Sequence, residues 1–219
     1  SRNENGKMHY YANVTTGNYN ELTSLVYADD SLLTSDPRIT REVEAIFEFF
    51  EKNYKVHNFK HLILSPHSTR KKFIKLVENE AENARSGKKA EIFLKMNSLV
   101  DEEMITALYE AGNAGVKIRI IVRGMCALLA GVPGLSENIE IISIVDKYLE
   151  HSRIFIFKNG GDELYFISSA DWMARNLDSR IEVTCPVYDK KIQRELKDIL
   201  EIQWSDNVKA RIITAPQNN

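Results

Sequence analysis

Residues 148–172 read YLEHSRIFIFKNGGDELYFISSADW, and this stretch decides the fold. Two short runs rich in β-branched and aromatic residues, IFIF (154–157) and LYFIS (164–168), flank an Asn-Gly-Gly-Asp turn, the pattern of a β-hairpin. At its head His151 and Arg153 stand two residues apart, so in an extended chain both side chains point to one face. A hairpin returns the chain to its starting end, where Ser168, Ser169 and Asp171 leave the second strand. An imidazole, a cation and small polar groups gathered there suit phosphoryl chemistry: a nucleophile or acid, a counter-charge and donors for oxyanions. Taken singly, His151 reads as a surface histidine on an ordinary hairpin; the string as a whole points to a site.

Working outward, IEIISIV (139–145) precedes the hairpin as a strand and RIEVTCPV (180–187) follows it. KKIQRELKDILEIQWSD (190–206) then reads as an amphipathic helix with Ile192, Leu196, Ile199, Leu200 and Trp204 on one face. Upstream, AEIFLKMNS (90–98), DEEMITALYEAGNAG (101–115) and VKIRIIVRG (116–124) form a β-α-β unit. Before it come the strand HLILSP (61–66) and a helix over 68–88 with Ser68 as N-cap and Gly87 as stop. The first part holds a strand MHYYANV (8–14), the turn TTGNYN, and a helix over 35–53 that starts at Ser35, Asp36 and Pro37. YKVHNFK (54–60) is a polar connector and the place for a domain boundary. Strands alternating with helices imply an α/β sandwich built on a mixed sheet flanked by helices.

Further residues could carry chemistry. Arg123 ends the apolar strand IRIIV, and strand ends in open α/β sheets are where ligands collect; alone, it is as readily a surface arginine paired with a carboxylate. Thr16, Gly17 and Asn18 make a polar turn where glycine allows close backbone approach and its neighbours offer donors to an anion, although alone T-G-N reads as a plain hairpin turn. Arg70, Lys71, Lys72 and Lys75 open a helix, where the macrodipole disfavours cations. Either a bound anion reconciles them or they form a solvated face balanced by Glu78, Glu80 and Glu82. Trp172 and Trp204 read as packing, and His9, His57, His61 and His67 have no ligand spacing.

Composition sets outer limits. The chain has 219 residues, 43% of them hydrophobic, enough for one or two domains with a core, and no run reaches transmembrane length. The opening SRNENGKMHYY has no signal-peptide character and resembles the middle of a hairpin, which suggests a piece of a longer protein. Cys126 and Cys185 lack metal spacing and read as buried thiols of a reducing cytoplasm. A net charge of −2 announces no global attraction to polyanions, so any such site is local.

The His151–Arg153 arrangement resembles one half of a phospholipase D-type H-x-K/R site. The wording LEHSRIFIF…NGGDELYFISSADWMARNLDSRIEV, with VTTGNYNELTSLVYADDSLLTSDPRI (14–39), LKMNSLVDEEMITALYEAGNAGVKIRIIVRGMCAL (94–128) and GVPGLSENIEIISIVDKYLEHSRI (131–154), is similar to the bacterial polyphosphate kinase family over nearly all of residues 8–211. The resemblance implies a phospholipase D-like fold: a remnant of a first C-terminal domain over 1–61 and a second over 62–219. It implies reversible transfer of the ATP γ-phosphate to polyphosphate through a phosphohistidine. It makes Arg123 (of V-R-G) and His151 (of L-E-H) contacts of the nucleotide phosphates, adds Arg180 (of D-S-R-I-E) and Tyr27 (of V-Y-A-D) as nucleotide-site positions, and turns Thr16–Asn18 into the family's G-T-G-N element.

The resemblance also implies Mg²⁺, ATP or ADP and inorganic polyphosphate as partners, no nucleic acid, a homo-oligomer, and a cytoplasmic place with peripheral contact at the inner membrane. The chain departs from the family in two ways. The family's phosphorylated histidine, in an H-x-K element before the T-T-G-N turn, and the arginines that help hold magnesium are not among these residues. Asn13 stands where the family usually has histidine. Lys158 occupies the place of the acidic residue of a standard phospholipase D motif, which weighs against a competing reading as a phosphodiesterase or nuclease. A binding fragment without activity is the remaining alternative.

Overall fold

The structure is a computed structural model describing residues 1–51 and 58–214. Arg2–Glu4 (β1) and Lys7–His9 (β2) form an antiparallel hairpin. Its turn, Asn5-Gly6, has φ of 53° and 83°, the left-handed values a tight primed turn requires. The expected single strand over 8–14 is therefore broken: β2 belongs to this hairpin, and Ala12–Thr15 (β3) starts anew. Tyr27–Ala28 (β4) and Ser31–Thr34 (β5) follow, with β5 pairing antiparallel to β3. Pro37–Glu51 (α1) is the first helix; residues 52 and 53 of the expected helix, most of the connector and His57 lie outside the described residues.

Ile63–Ser65 (β6), Thr69–Arg85 (α2), Glu91–Met96 (β7), Glu102–Asn113 (α3), Lys117–Val122 (β8) and Ile139–Ser143 (β9) come next. Leu149–Glu150 (β10), Ile154–Phe157 (β11), Leu164–Ser168 (β12), Glu182–Pro186 (β13), Lys190–Trp204 (α4) and Arg211–Ile212 (β14) complete the chain. Eight strands form one mixed sheet in the order β14-β9-β8-β7-β11-β12-β13-β6. Strands β7, β8 and β9 run parallel, as the β-α-β reading requires, and β11 turns antiparallel between β7 and β12. Like the β1–β2 and β3–β5 pairs, one further pairing lies off this sheet: β4 lies parallel to β10, bringing Tyr27 and Ala28 alongside the residues that lead into His151.

Helices cover both faces. Ile92, Leu94 and Met96 pack with Phe73, Val77 and Leu108 of α2 and α3; Phe93 packs on the opposite face with Ile39 and Ile46 of α1 and Leu196 and Leu200 of α4. This double cover is why IFIF is buried at every position instead of alternating. Asp101 caps α3 by accepting from Met104 N–H at 3.1 Å, with Glu102 and Glu103 in the favourable first turn. Ser68 precedes α2 as expected, but its hydroxyl donates back to the Leu64 carbonyl and does not cap. Among the described residues no helix is long and apolar enough to cross a membrane.

Candidate active site

The site forms where β7 and β8 end, β11 begins and β12 ends, the edge at which open α/β sheets collect ligands. His151 enters it directly after β10, its backbone N–H donating to the Ala28 carbonyl at 3.0 Å. Its Nδ1 lies 2.9 and 3.1 Å from the two carboxylate oxygens of Asp29, and its ring stands 4.8 Å, centroid to centroid, from that of Tyr27. With Nδ1–H donated to Asp29, the tautomer is fixed and Nε2 is the reactive nitrogen. Arg153 Nη1 is 3.3 Å from Nδ1 and 3.2 Å from Nε2. A nitrogen equidistant from both ring nitrogens at that range lies over the ring face, on neither lone-pair axis, so Nε2 stays open in its own plane.

Asp29 is the electrostatic counterpart. Burial pushes its carboxyl up; hydrogen bonds from His151 and Thr16, together with the charges of His151 and Arg153, outweigh that and hold it below the ordinary carboxylate range. The Thr16 hydroxyl donates to Asp29 at 2.8 Å and accepts from Asp30 N–H. Thr16 therefore orients Asp29 and has no hydroxyl donor left for an anion, contrary to the role its turn suggests in sequence. A Cβ added to Gly17 would lie 2.0 Å from Asp29 Oδ2, so the glycine is required for the carboxylate to reach His151. Asn18 is exposed beside this turn.

Arg153 also departs from expectation. It is 7% exposed. Nε and Nη2 fork onto Asp171 at 3.2 and 3.1 Å, and Nη1 donates to the carbonyls of Thr16 at 3.0 Å and His151 at 2.8 Å. Almost its whole donor set is spent inside the protein, so it clamps the Thr16 turn, His151 and Asp171 together and offers no open fork to phosphate. Asp171 Oδ1 also accepts from Asn97 and Ser98 N–H.

Arg123 is the opposite case. It is half-buried, its Nε donates to Asn97 Oδ1 at 2.9 Å, and among the described residues its terminal nitrogens have no protein partner. Asn97 also donates from Nδ2 to the His151 carbonyl at 3.3 Å, so this one residue ties Arg123 to the histidine. Gly124 lets the strand ends close: a Cβ there would meet the Asn97 carbonyl at 2.8 Å.

Ser168 and Ser169 turn to the neighbouring strand. Ser168 Oγ shares a hydrogen bond with Thr184 Oγ1 and accepts from Ala170 N–H; Ser169 Oγ donates to Glu182 and accepts from Val183 N–H. Their hydroxyls brace the end of β12, and among the described residues neither bonds His151. Arg180 is exposed beyond a π-helical turn, with no side-chain partner among the described residues. The structure thus brings His151, Arg153, Asp171, Arg123, Tyr27 and Thr16 together and leaves Arg180 and Asn18 on the periphery. Asp29 and Asn97 are central and were not singled out from sequence, although a polar residue at the end of an apolar parallel strand was the available signal for Asn97.

Behind the site, buried Lys95 donates to Glu150 at 2.5 Å, and Glu150 also accepts from Gln203. Burial raises the nearby Asp30 carboxyl above its ordinary value against the charge of Lys95. Lys158, at the far end of β11, is paired with Glu163. The thiols of Cys126 and Cys185 are both raised by burial, that of Cys185 to about 12. Among the described residues no cluster of three or more His, Cys, Asp or Glu could hold a metal ion. With Asp29 committed to His151 and Asp171 to Arg153, these residues do not fit a magnesium site.

A mixed sheet covered on both faces, with a carboxylate-bound histidine at its strand ends, defines the phospholipase D-like α/β class. Nuc from Salmonella typhimurium, a phospholipase D family member, superposes with a TM-score of 0.52 over 70% of this chain and 97% of its own at 13% identity, a likeness of fold. The chain belongs to the polyphosphate kinase family: the pattern described as polyphosphate kinase C-terminal domain 2 matches residues 62–219, and that of C-terminal domain 1 matches residues 1–56. Polyphosphate kinases of Vibrio parahaemolyticus and Escherichia coli K12 are 49% and 47% identical over 219 residues, covering 100% of this chain and 32% of each relative. The crystal structure of polyphosphate kinase from Porphyromonas gingivalis gives a TM-score of 0.91 at 45% identity over 95% of this chain and 32% of that one. The chain spans about a third of the length of these relatives.

Proposed function

We propose that this chain is the C-terminal catalytic part of an ATP–polyphosphate phosphotransferase. The observation that carries the reading is the pairing, in a chain of this family, of an oriented histidine with an arginine that is uncommitted among the described residues: His151 with Nδ1 held by Asp29, and Arg123 with its terminal nitrogens free of any partner there. Free guanidinium donors suit the non-bridging oxygens of a nucleotide phosphate, each charge-assisted contact contributing roughly 1.5–3 kcal/mol. His151, presenting Nε2, serves as counter-charge or proton donor to a phosphate oxygen. The γ-phosphoryl group leaves ATP for a histidine supplied outside these 219 residues, and passes from there to the end of a polyphosphate chain.

Magnesium is held, in this reading, by the same outside region. The first phospholipase D-like unit is proposed to end near residue 61 and the second to begin at 62. The partners are ATP or ADP and polyphosphate, without nucleic acid, in a homo-oligomeric cytoplasmic enzyme in peripheral contact with the inner membrane.

The test compares the full-length enzyme with the 219-residue chain. Full-length protein incubated with ATP should show phosphohistidine by mass spectrometry and form polyphosphate, while the chain alone should do neither, because positioning groups cannot replace a missing nucleophile. Polyphosphate synthesis by the chain alone, or cleavage of phosphodiesters by the full-length protein without phosphohistidine, overturns the reading.

A further inference from the structure

Arg70, in the first turn of α2, has every guanidinium N–H in use. Nε and Nη2 fork onto Asp178 at 2.9 and 2.5 Å, Nη1 and Nη2 fork onto Asp101 at 2.5 and 2.7 Å, and Nη1 also donates to Glu103 at 3.0 Å. Its side chain is 22% exposed, and the carboxylates of Asp178 and Asp101 raise its basicity well above the ordinary arginine value. Three carboxylates already surround this cation, so neither an anion site nor a solvated face balanced by α2 glutamates describes it.

The two forks hold unequal things. Asp101 is fixed independently as the N-cap of α3. Asp178 belongs to the π-helical turn Arg175–Ser179, closed by Arg180 N–H donating to the Arg175 carbonyl at 2.9 Å. A wide π turn is a rare, strained piece of helix that persists through outside ties and recurs at functional sites. This one is tied on the inside by buried Asn176, whose Nδ2 donates to Glu182 at 2.7 Å, and on the outside by Arg70. Arg180 follows Asp178 by two residues, in extended conformation and with its guanidinium uncommitted among the described residues.

We propose that Arg70 is a positioning residue for the nucleotide site: it locks the Arg175–Ser179 turn onto the start of α2 and so sets the point from which Arg180 reaches phosphate. The proposal rests on the reading of Arg180 as a nucleotide contact. Bidentate geometry is essential to it, because a lysine ammonium cannot engage two carboxylates in planar forks.

The test uses the full-length enzyme, with kcat and KM for ATP at 25 °C and the melting temperature measured for each variant. R70M and D178N should each raise KM for ATP about tenfold with kcat within about threefold, and R70M/D178N should be no worse than the poorer single variant. R70K should fail to rescue. E103Q should match wild type. D101N, which loosens α2 from α3 but leaves the Asp178 fork, should lower the melting temperature without moving KM. R180A should raise KM at least as far as R70M. If R180A raises KM while D178N and R70M lower only the melting temperature, the proposal is overturned and the site reading stands. If R180A leaves KM unchanged, Arg180 is no nucleotide contact and the proposal falls with that part of the reading. D178N keeps the test decisive should R70M not fold.

Discussion

Two arginines sit beside His151 and do opposite work, and burial decides which does what. Arg153 and Asp171 form a pair whose side chains are each 8% exposed. Breaking such a pair leaves an uncompensated buried charge and costs about 3–5 kcal/mol. Arg153→Met or Asp171→Ala should therefore lower the melting temperature of the 219-residue chain by roughly 2–4 °C per kcal/mol lost. Arg123→Ala breaks one bond to Asn97 and relieves a cation that has no carboxylate against it among the described residues. It should lower activity of the full-length enzyme by about tenfold or more while the melting temperature stays near wild type, and paired turnover and calorimetry on these variants check the contrast. Gly17→Ala carries a related expectation: a methyl group 2.0 Å from Asp29 Oδ2 must push the carboxylate off His151, so its loss of activity should match that of Asp29→Asn. The H-x-R spacing did place His151 and Arg153 on one face. It could not show how many donors remained free, because that depends on Thr16 and Asp171, 137 and 18 residues away along the chain.

At the scale of elements, the β11–β12 hairpin was legible because its turn chemistry is local, with Asn159, Gly160 and Gly161 at φ of 47°, 68° and 119°. The Asn5-Gly6 turn follows the same chemistry, and the opening SRNENGKMHYY does read as the middle of a hairpin; its strands, only three residues long and exposed, show no alternation that would bound them, so Met8 and His9 read instead as the start of the next strand. The π turn and the β4–β10 pairing carry no local signal: the first is held by Arg70 and Asn176, the second is two residues long. Glu163 provides a measurable handle on the hairpin. Burial raises its carboxyl, but hydrogen bonds from Lys158, Tyr165 and Lys197 outweigh that and bring it to about 2. A carboxyl lowered on folding contributes stability that is fully present above its unfolded value of about 4.3 and is lost as pH falls through the folded value. The melting-temperature gap between wild type and Glu163→Gln should thus be constant above about pH 5 and shrink steadily as pH falls toward 2. A gap that widened on acidification would show that Glu163 does not stabilise the hairpin as an ion.

At the scale of the molecule, the stretch before residue 61 and the stretch after it share one core. Val14, Ile39 and Ile46 are 9%, 1% and 7% exposed and pack in a cluster with Leu62, Leu64, Phe93, Leu196 and Leu200. The α/β architecture was readable from alternating strand and helix patterns, since each pattern reports the element's own burial. What no pattern reports is which separate segments bury their apolar faces against each other. Here the earlier stretch also supplies Asp29 to His151 and the Thr16 carbonyl to Arg153. Burying an aliphatic side chain contributes roughly 1.5–3 kcal/mol, so losing three would cost on the order of 5–9 kcal/mol. That is as large as the whole net stability of many domains, about 5–15 kcal/mol. A polypeptide of residues 62–219 alone should therefore keep its far-ultraviolet circular dichroism, lose its near-ultraviolet signal, bind a hydrophobic dye and melt without a sharp transition. The 219-residue chain should melt cooperatively under the same conditions. A cooperative transition of the shorter polypeptide within a few degrees of the longer one would mean that the shared core contributes little, and that the earlier stretch serves the site alone.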